Sequence, residues 1–116
     1  MIEESCRFLK AHGREVIFDA EHFFDGWKDD PDFAWEALRA AVRGGADIVC
    51  LCDTNGGVFP QEAERIVREV VSRLSVPVAV HFHETAAWPP PIPLSVCRQA
   101  LSGAGDAAGL WRALRE

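Results

Sequence analysis

His81-Phe82-His83 sets two imidazoles two residues apart. On a strand, alternate residues point to one face, so both rings can offer a neutral nitrogen to a single divalent cation. Taken alone the pair has a second reading, because an HxH on a strand also occurs as a packed or surface pair. Two further stretches are polar where a plain linker need not be, "DAEHFFDG" (19–26) and "CDTNGG" (52–57). Glu21 is open to three readings: a ligand partner, a substrate contact or a solvated loop residue. Asp53, Thr54 and Asn55, running into Gly56-Gly57, are also ordinary turn formers. Cys50 and Cys52 sit in an apolar run, and Cys6 and Cys97 are isolated. No pair has zinc-ribbon or disulfide-scaffold spacing, so the cysteines read as reduced packing residues.

Three strands must position these groups. "EVIF" (15–18) is a compact β-branched and aromatic run, "DIVCLC" (47–52) is the next, and "VPVAVHF" (76–82) the third. Between them lie helical patterns. Glu3 to Ala11 is a short helix ended by His12-Gly13, and "DAEHFFDGWKDD" (19–30) reads as a loop. Asp30 then caps a helix that has Pro31 at its first position and Phe33, Ala34, Ala37, Leu38, Ala41 and Val42 at helical spacing, until Gly44-Gly45 stops it. Pro60 opens another, with Ala63, Ile66, Val67, Val70, Val71 and Leu74 as its apolar face. Near-continuous apolar strands alternating with amphipathic helices predict an α/β fold with a parallel sheet covered on both sides. In such sheets the chemistry lies at the carboxyl ends of the strands, where the three polar stretches fall.

The chain has 116 residues and a net charge of −6 with the two signs interspersed. That length sets a ceiling of one domain, and the charge pattern offers no basic stripe to nucleic acid or an anionic membrane. No apolar run approaches the ~20 residues of a membrane span, and "MIEESCRFLK" lacks signal-peptide architecture, so the expected compartment is the cytoplasm.

Taken together and in this order, the three strand ends resemble the citramalate synthase branch of the isopropylmalate and homocitrate synthase family. The resemblance runs from about residue 5 to residue 83, and "FDAEHFFDG" with "LCDTNGG" carries the branch. It implies part of a TIM (β/α)8 barrel, about strands 5 to 7 with the intervening helices. It also implies a divalent metal (Zn, Mn or Mg) and condensation of acetyl-CoA with a 2-oxo acid, pyruvate to citramalate in this branch. By the same resemblance His81 and His83 correspond to metal-ligating histidines, Glu21 to an active-site glutamate and Thr54 to a substrate-contacting threonine. Asp53 and Asn55 border that threonine and are weaker transfers.

The family's strand-one string Asp-x-Thr-x-Arg-Asp-Gly, which supplies a metal aspartate and a catalytic arginine, does not occur in these residues. With two imidazoles and no aspartate partner, the sequence predicts metal binding no tighter than micromolar. After His83 the family continues into a small-residue helix and a Gly-rich strand, whereas this chain reads "ETAAWPPP". Back-translation accounts for the departure. Reading "TAAWPPPIPLSVCRQA" (85–100) from the third base of each codon, Trp88 forces alanine, Pro91-Ile92 permits asparagine, and the run can read G-G-L-A-x-A-N-S-L. Reading 103–116 from the second base, Trp111 forces glycine, and the run permits V-Q-G-T-x-Q-G-Y-G-E. Residues 84–116 are therefore expected to be an out-of-frame, disordered tail, with one base lost near Glu84 and another near Ser102.

Two functional classes follow. One is an acyltransferase fragment, active with a companion chain that supplies the rest of the barrel. The other is a non-catalytic frameshifted remnant. The expected partners are small-molecule substrates, with neither nucleic acid nor membrane among them. Three consecutive barrel strands leave two open edges, which predicts marginal stability and self-association.

Overall fold

The computed structural model describes residues 1–83, and the expectations for 84–116 lie outside the described residues. The elements run α1 (Ile2–Ala11), β1 (Ile17–Ala20), α2 (Phe23–Asp29), α3 (Pro31–Arg43), β2 (Ile48–Asp53), α4 (Pro60–Arg73) and β3 (Val78–Phe82). The three strands form one parallel sheet in the order β1-β2-β3. Register pairs Asp19 with Cys50, and Cys50 and Cys52 with Ala79 and His81.

Local chemistry explains the boundaries. The Asp30 carboxylate accepts the Phe33 N–H at 3.0 Å, and Pro31 stands at the first helical position where no intrahelical donor is lost. Pro60 starts α4 in the same way. At the far end of α3, a Cβ on Gly44 would lie 2.5 Å from the Glu3 carbonyl oxygen and 2.7 Å from the Cys6 Cβ. Glycine at this position is what lets α3 touch α1, where Cys6 packs with Val16, Ala41 and Ala46.

The main core lies between the helices and one face of the sheet. Phe23, Phe24 and Trp27 of α2, Ala34 and Leu38 of α3, and Ile66, Val67 and Val70 of α4 pack with Val49, Leu51, Val78 and Val80. Cys50, Cys52 and Ala79 form a separate small cluster with Ile48 on the opposite face. Among the described residues the helices therefore share one face, in place of the two-sided cover that near-continuous apolar strands suggest. The reason is in β2: Cys50 and Cys52 make its second face apolar enough to mimic a helix-covered one. Phe33 also departs from its expected place. It sits in the first turn of α3, turned away from the core, and is 75% exposed. No helix among the described residues is long and apolar enough to cross a membrane.

Asp47 ties the base of β2 to α1. Its carboxylate accepts from Lys10 Nζ at 2.9 and 3.0 Å and from the Val16 N–H at 2.7 Å. The Lys10 ammonium, and then the Val16 N–H, hold its carboxyl below the ordinary value of 3.8. A depressed folded pKa contributes stability that is present above the unfolded value and is lost as pH falls through the folded one. Both side chains are more than a third exposed, so solvent screens the effect and it stays small. Thermal melts of the wild type and Asp47→Asn should differ slightly near neutrality and converge as acidification protonates the Asp47 carboxyl in the folded state. A gap that stays constant through that acid range would show that Asp47 acts through shape alone.

Candidate functional site at the strand ends

The loop after β1 turns sharply into α2. His22 carries φ 55°, in the left-handed region, and is the one non-glycine residue among those described to do so. Strain of this kind costs about 1–3 kcal/mol and persists where neighbours hold it. Here the neighbour is the loop after β2: the His22 N–H donates to Thr54 Oγ1 at 2.8 Å, and that hydroxyl donates onward to Glu21 Oε2 at 2.7 Å. Asn55 Nδ2 donates to Asp25 Oδ2 at 2.7 Å, a second stitch between the same loops. Glu21, Thr54 and Asn55, chosen from sequence as separate candidates, thus meet at one seam.

Asp53 behaves differently. Among the described residues it is the one polar or charged side chain in the buried set, at 4% exposure. Its two carboxylate oxygens accept the N–H groups of Gly57 and Val58, both at 3.2 Å, so it organises the turn beneath Thr54.

His81 of β3 and His83, one residue past its end, lie on the same face with ring centroids 4.6 Å apart, stacked at 27°. His81 is half-buried and His83 exposed. Strand register puts Asp19 and Cys52 on this face too, and the Cys52 thiol donates to Asp19 Oδ1 at 2.6 Å. A hydrogen bond with Cys50, burial and the Asp19 carboxylate push the thiol up, so it stays neutral and serves as a donor. Ligand atoms of Asp19, Cys52 and His81 all lie within 4.8 Å of one another, a group that excludes Glu21 and His83. Sequence reasoning missed Asp19, His22 and Asp25, and read Cys52 only as packing. Strand parity could have flagged Asp19 and Cys52, but only once the register was known.

Three strand ends thus carry, in chain order, an Asp-Ala-Glu-His turn, an Asp-Thr-Asn-Gly-Gly turn and an HxH pair. Residues 1–88 match the HMGL-like family. The chain belongs to that family. This HMGL-like chain is 51% identical over 84 residues to the (R)-citramalate synthase of Aquifex aeolicus. It is 48% identical over 83 residues to that of Geobacter sulfurreducens and 42% over 83 residues to that of Sulfolobus acidocaldarius. Each match covers 72% of the HMGL-like chain and 16% of the relative. The recognition made from the strand ends therefore holds, with the match lying in the citramalate synthase branch and covering a small part of its full-length members.

Proposed function

We infer that residues 1–83 are the segment of an acyltransferase that carries strands 5 to 7 of a (β/α)8 barrel, and that the whole enzyme condenses acetyl-CoA with a 2-oxo acid. Pyruvate is the 2-oxo acid that the relatives' name points to. The observation that carries the reading is the Glu21–Thr54 contact at 2.7 Å, made across two loops beside the strand that bears His81 and His83. A pattern match alone would not require these residues to touch.

The donor set fits a divalent cation, since the stacked His81 and His83 rings offer nitrogens on one face. Bound there, the ion would supply Lewis-acid polarisation of the 2-oxo acid's oxygens. The chain's own residues then have distinct tasks. Thr54, fixed by the His22 amide, presents a hydroxyl that can turn from Glu21 to a substrate carboxylate or keto oxygen. Glu21 Oε2 accepts that hydroxyl's hydrogen bond in the free state, and freed of it becomes an acceptor able to hold a proton taken from the reacting partners. Asp53 and the Asn55–Asp25 bond keep the Thr54 turn in place. The arginine and aspartate of the strand-one string come from the rest of the barrel.

A mixing experiment tests this. The purified 116-residue chain is combined with A. aeolicus (R)-citramalate synthase lacking the aligned segment, and CoA release from acetyl-CoA and pyruvate is followed. Release in the mixture, and from neither component alone, is expected. If the A. aeolicus segment restores activity in the same assay and this chain does not, the reading fails.

The second reading, a frameshifted remnant without activity, is supported by the tail sequence, whose residues regain the family's small-residue helix and Gly-rich strand in two shifted frames. Sequencing the locus with its downstream flank separates the two. A restored frame that runs on past Glu116 favours the remnant. Close relatives of the locus with the same Trp-Pro-Pro-Pro run in frame remove it.

A further inference from the structure

Asn55-Gly56 has the makings of a reaction that the acyl-transfer reading does not use. Asn55 is the single asparagine of the chain, it is exposed, and glycine follows it. A glycine nitrogen has no Cβ beside it to obstruct its approach to the preceding side-chain carbonyl, so Asn-Gly closes to a cyclic imide more readily than other asparagine dipeptides. Gly56 stands at φ 67°, in the left-handed region, and a Cβ on Gly57 would meet nothing within 4 Å, so the turn has room to move. Two hydrogen bonds restrain the reacting groups. The Gly56 N–H donates to the Asp53 carbonyl oxygen at 3.1 Å, and Asn55 Nδ2 donates to Asp25 Oδ2 at 2.7 Å.

We propose that Asn55-Gly56 is a spontaneous deamidation site restrained by the Asp25 carboxylate, and that its conversion opens the seam between α2 and the β2–α4 loop irreversibly.

The reaction needs only water. Hydroxide removes the Gly56 N–H proton, and that nitrogen attacks Asn55 Cγ. The new N–C bond closes a five-membered imide as the Cγ–Nδ2 bond breaks, and Nδ2 takes up a proton and leaves as ammonia. Water then adds to either imide carbonyl, which gives aspartate or isoaspartate. In sum, one side-chain amide and one water become one carboxylate and one ammonium, with no change of oxidation state.

Asp25 acts before and after this step. Beforehand it accepts from Nδ2, so the amide must break a charge-assisted bond before Cγ can turn toward Gly56. Afterwards a carboxylate stands where the donor was, and two like charges meet across the seam. His22 Nδ1 lies 4.0 Å from the same Asp25 oxygen, too far for a hydrogen bond that would offset the repulsion. Thr54, one residue away, joins the His22 N–H to Glu21, so loss of the Asn55 stitch frees the contact on which the two loops turn. Hydrolysis of an amide in water does not reverse, and the opening is permanent. The related dipeptide Asp25-Gly26 lies within α2, its Gly26 N–H bonded to the His22 carbonyl oxygen at 2.9 Å, and its rearrangement would leave the mass unchanged.

The full chain is incubated in mildly alkaline buffer, with and without denaturant, and mass spectrometry follows the peptide that contains residue 55. The gain in mass from oxygen replacing NH is expected in both, slower in the folded chain by about 10-fold or more, the factor that a hydrogen bond to an exposed charged group supplies. Asp25→Ala, with helicity unchanged by circular dichroism, should convert about 10-fold faster than the wild type, and Asp25→Asn, which keeps an acceptor oxygen, should stay closer to it. Hydrogen exchange at the His22 amide reads the consequence. It should quicken on conversion, and quicken more in Asn55→Asp than in Asn55→Ala, because the first adds a like charge and the second only removes the donor. None of these readouts follows acyl transfer, so the result stands apart from that reading. A folded chain that never converts, equal rates with and without denaturant, a folded Asp25→Ala no faster than the wild type, or His22 exchange that conversion leaves unchanged overturns the proposal.

Discussion

Phe24→Ala is expected to leave the described domain with almost no cooperative unfolding transition. Phe24 is fully buried, packs edge-on to Phe23 with centroids 5.7 Å apart and stacks on Phe82 at 5.4 Å. It therefore joins α2 to the strand end between the two histidines. Truncating a buried phenylalanine costs about 3–5 kcal/mol through lost transfer energy and the cavity left behind. A domain of this size has total stability of roughly 4–12 kcal/mol, so the loss removes much or all of it. Denaturant titration followed by tryptophan fluorescence reads the effect through Trp27 in the same cluster. Phe33→Ala is the contrast: the ring is 75% exposed, and its loss should stay within about 0.5 kcal/mol. Equal midpoints for wild type and Phe24→Ala would mean that α2 is not packed on the sheet.

Asp53→Ala should be the next most damaging change, and for a reason unrelated to substrate. Both of its oxygens accept backbone N–H groups in its own loop, and hydrogen bonds to charged groups contribute about 1.5–3 kcal/mol each. Removing the carboxylate leaves the buried Val58 amide and its neighbour without acceptors, and the turn that holds Thr54 against Glu21 loses its anchor. The loss expected is about 2–4 kcal/mol, with Asp53→Asn recovering part of it through the one acceptor it keeps. Amide hydrogen exchange checks the cause directly. Gly57 and Val58 should be protected in the wild type and exchange freely in Asp53→Ala. Protection unchanged in Asp53→Ala would return Asp53 to the role of a substrate contact.

These two residues also show where sequence is transparent and where it is not. The capped start of α3 and the proline-led starts of α3 and α4 were readable because Asp30, Pro31 and Pro60 act within one turn of themselves. The HxH pair was readable because strand periodicity is local. The aromatic turn 23–29 read as a loop, and it forms α2 because Phe23, Phe24 and Trp27 find a core that only the folded sheet provides. β1 was placed at 15–18 from its apolar run, while the strand lies at Ile17–Ala20 and includes Asp19, whose polarity suits the face it shares with Cys52 and His81. The Glu21–Thr54 and Asp19–Cys52 contacts join residues 33 apart in the chain, and they depend on a register that no single strand encodes.

The central claim is that these strand ends carry family chemistry, and a covalent exchange measures it most directly. Residues 5–83 replace the aligned segment of A. aeolicus (R)-citramalate synthase, and CoA release from acetyl-CoA and pyruvate is measured at saturating substrate with divalent metal present. Turnover within about 100-fold of the parent is expected, allowing for imperfect packing at the new seams, and no measurable turnover when His81→Ala is added. A folded exchange protein that releases no CoA, or one whose turnover is indifferent to His81→Ala, would contradict it.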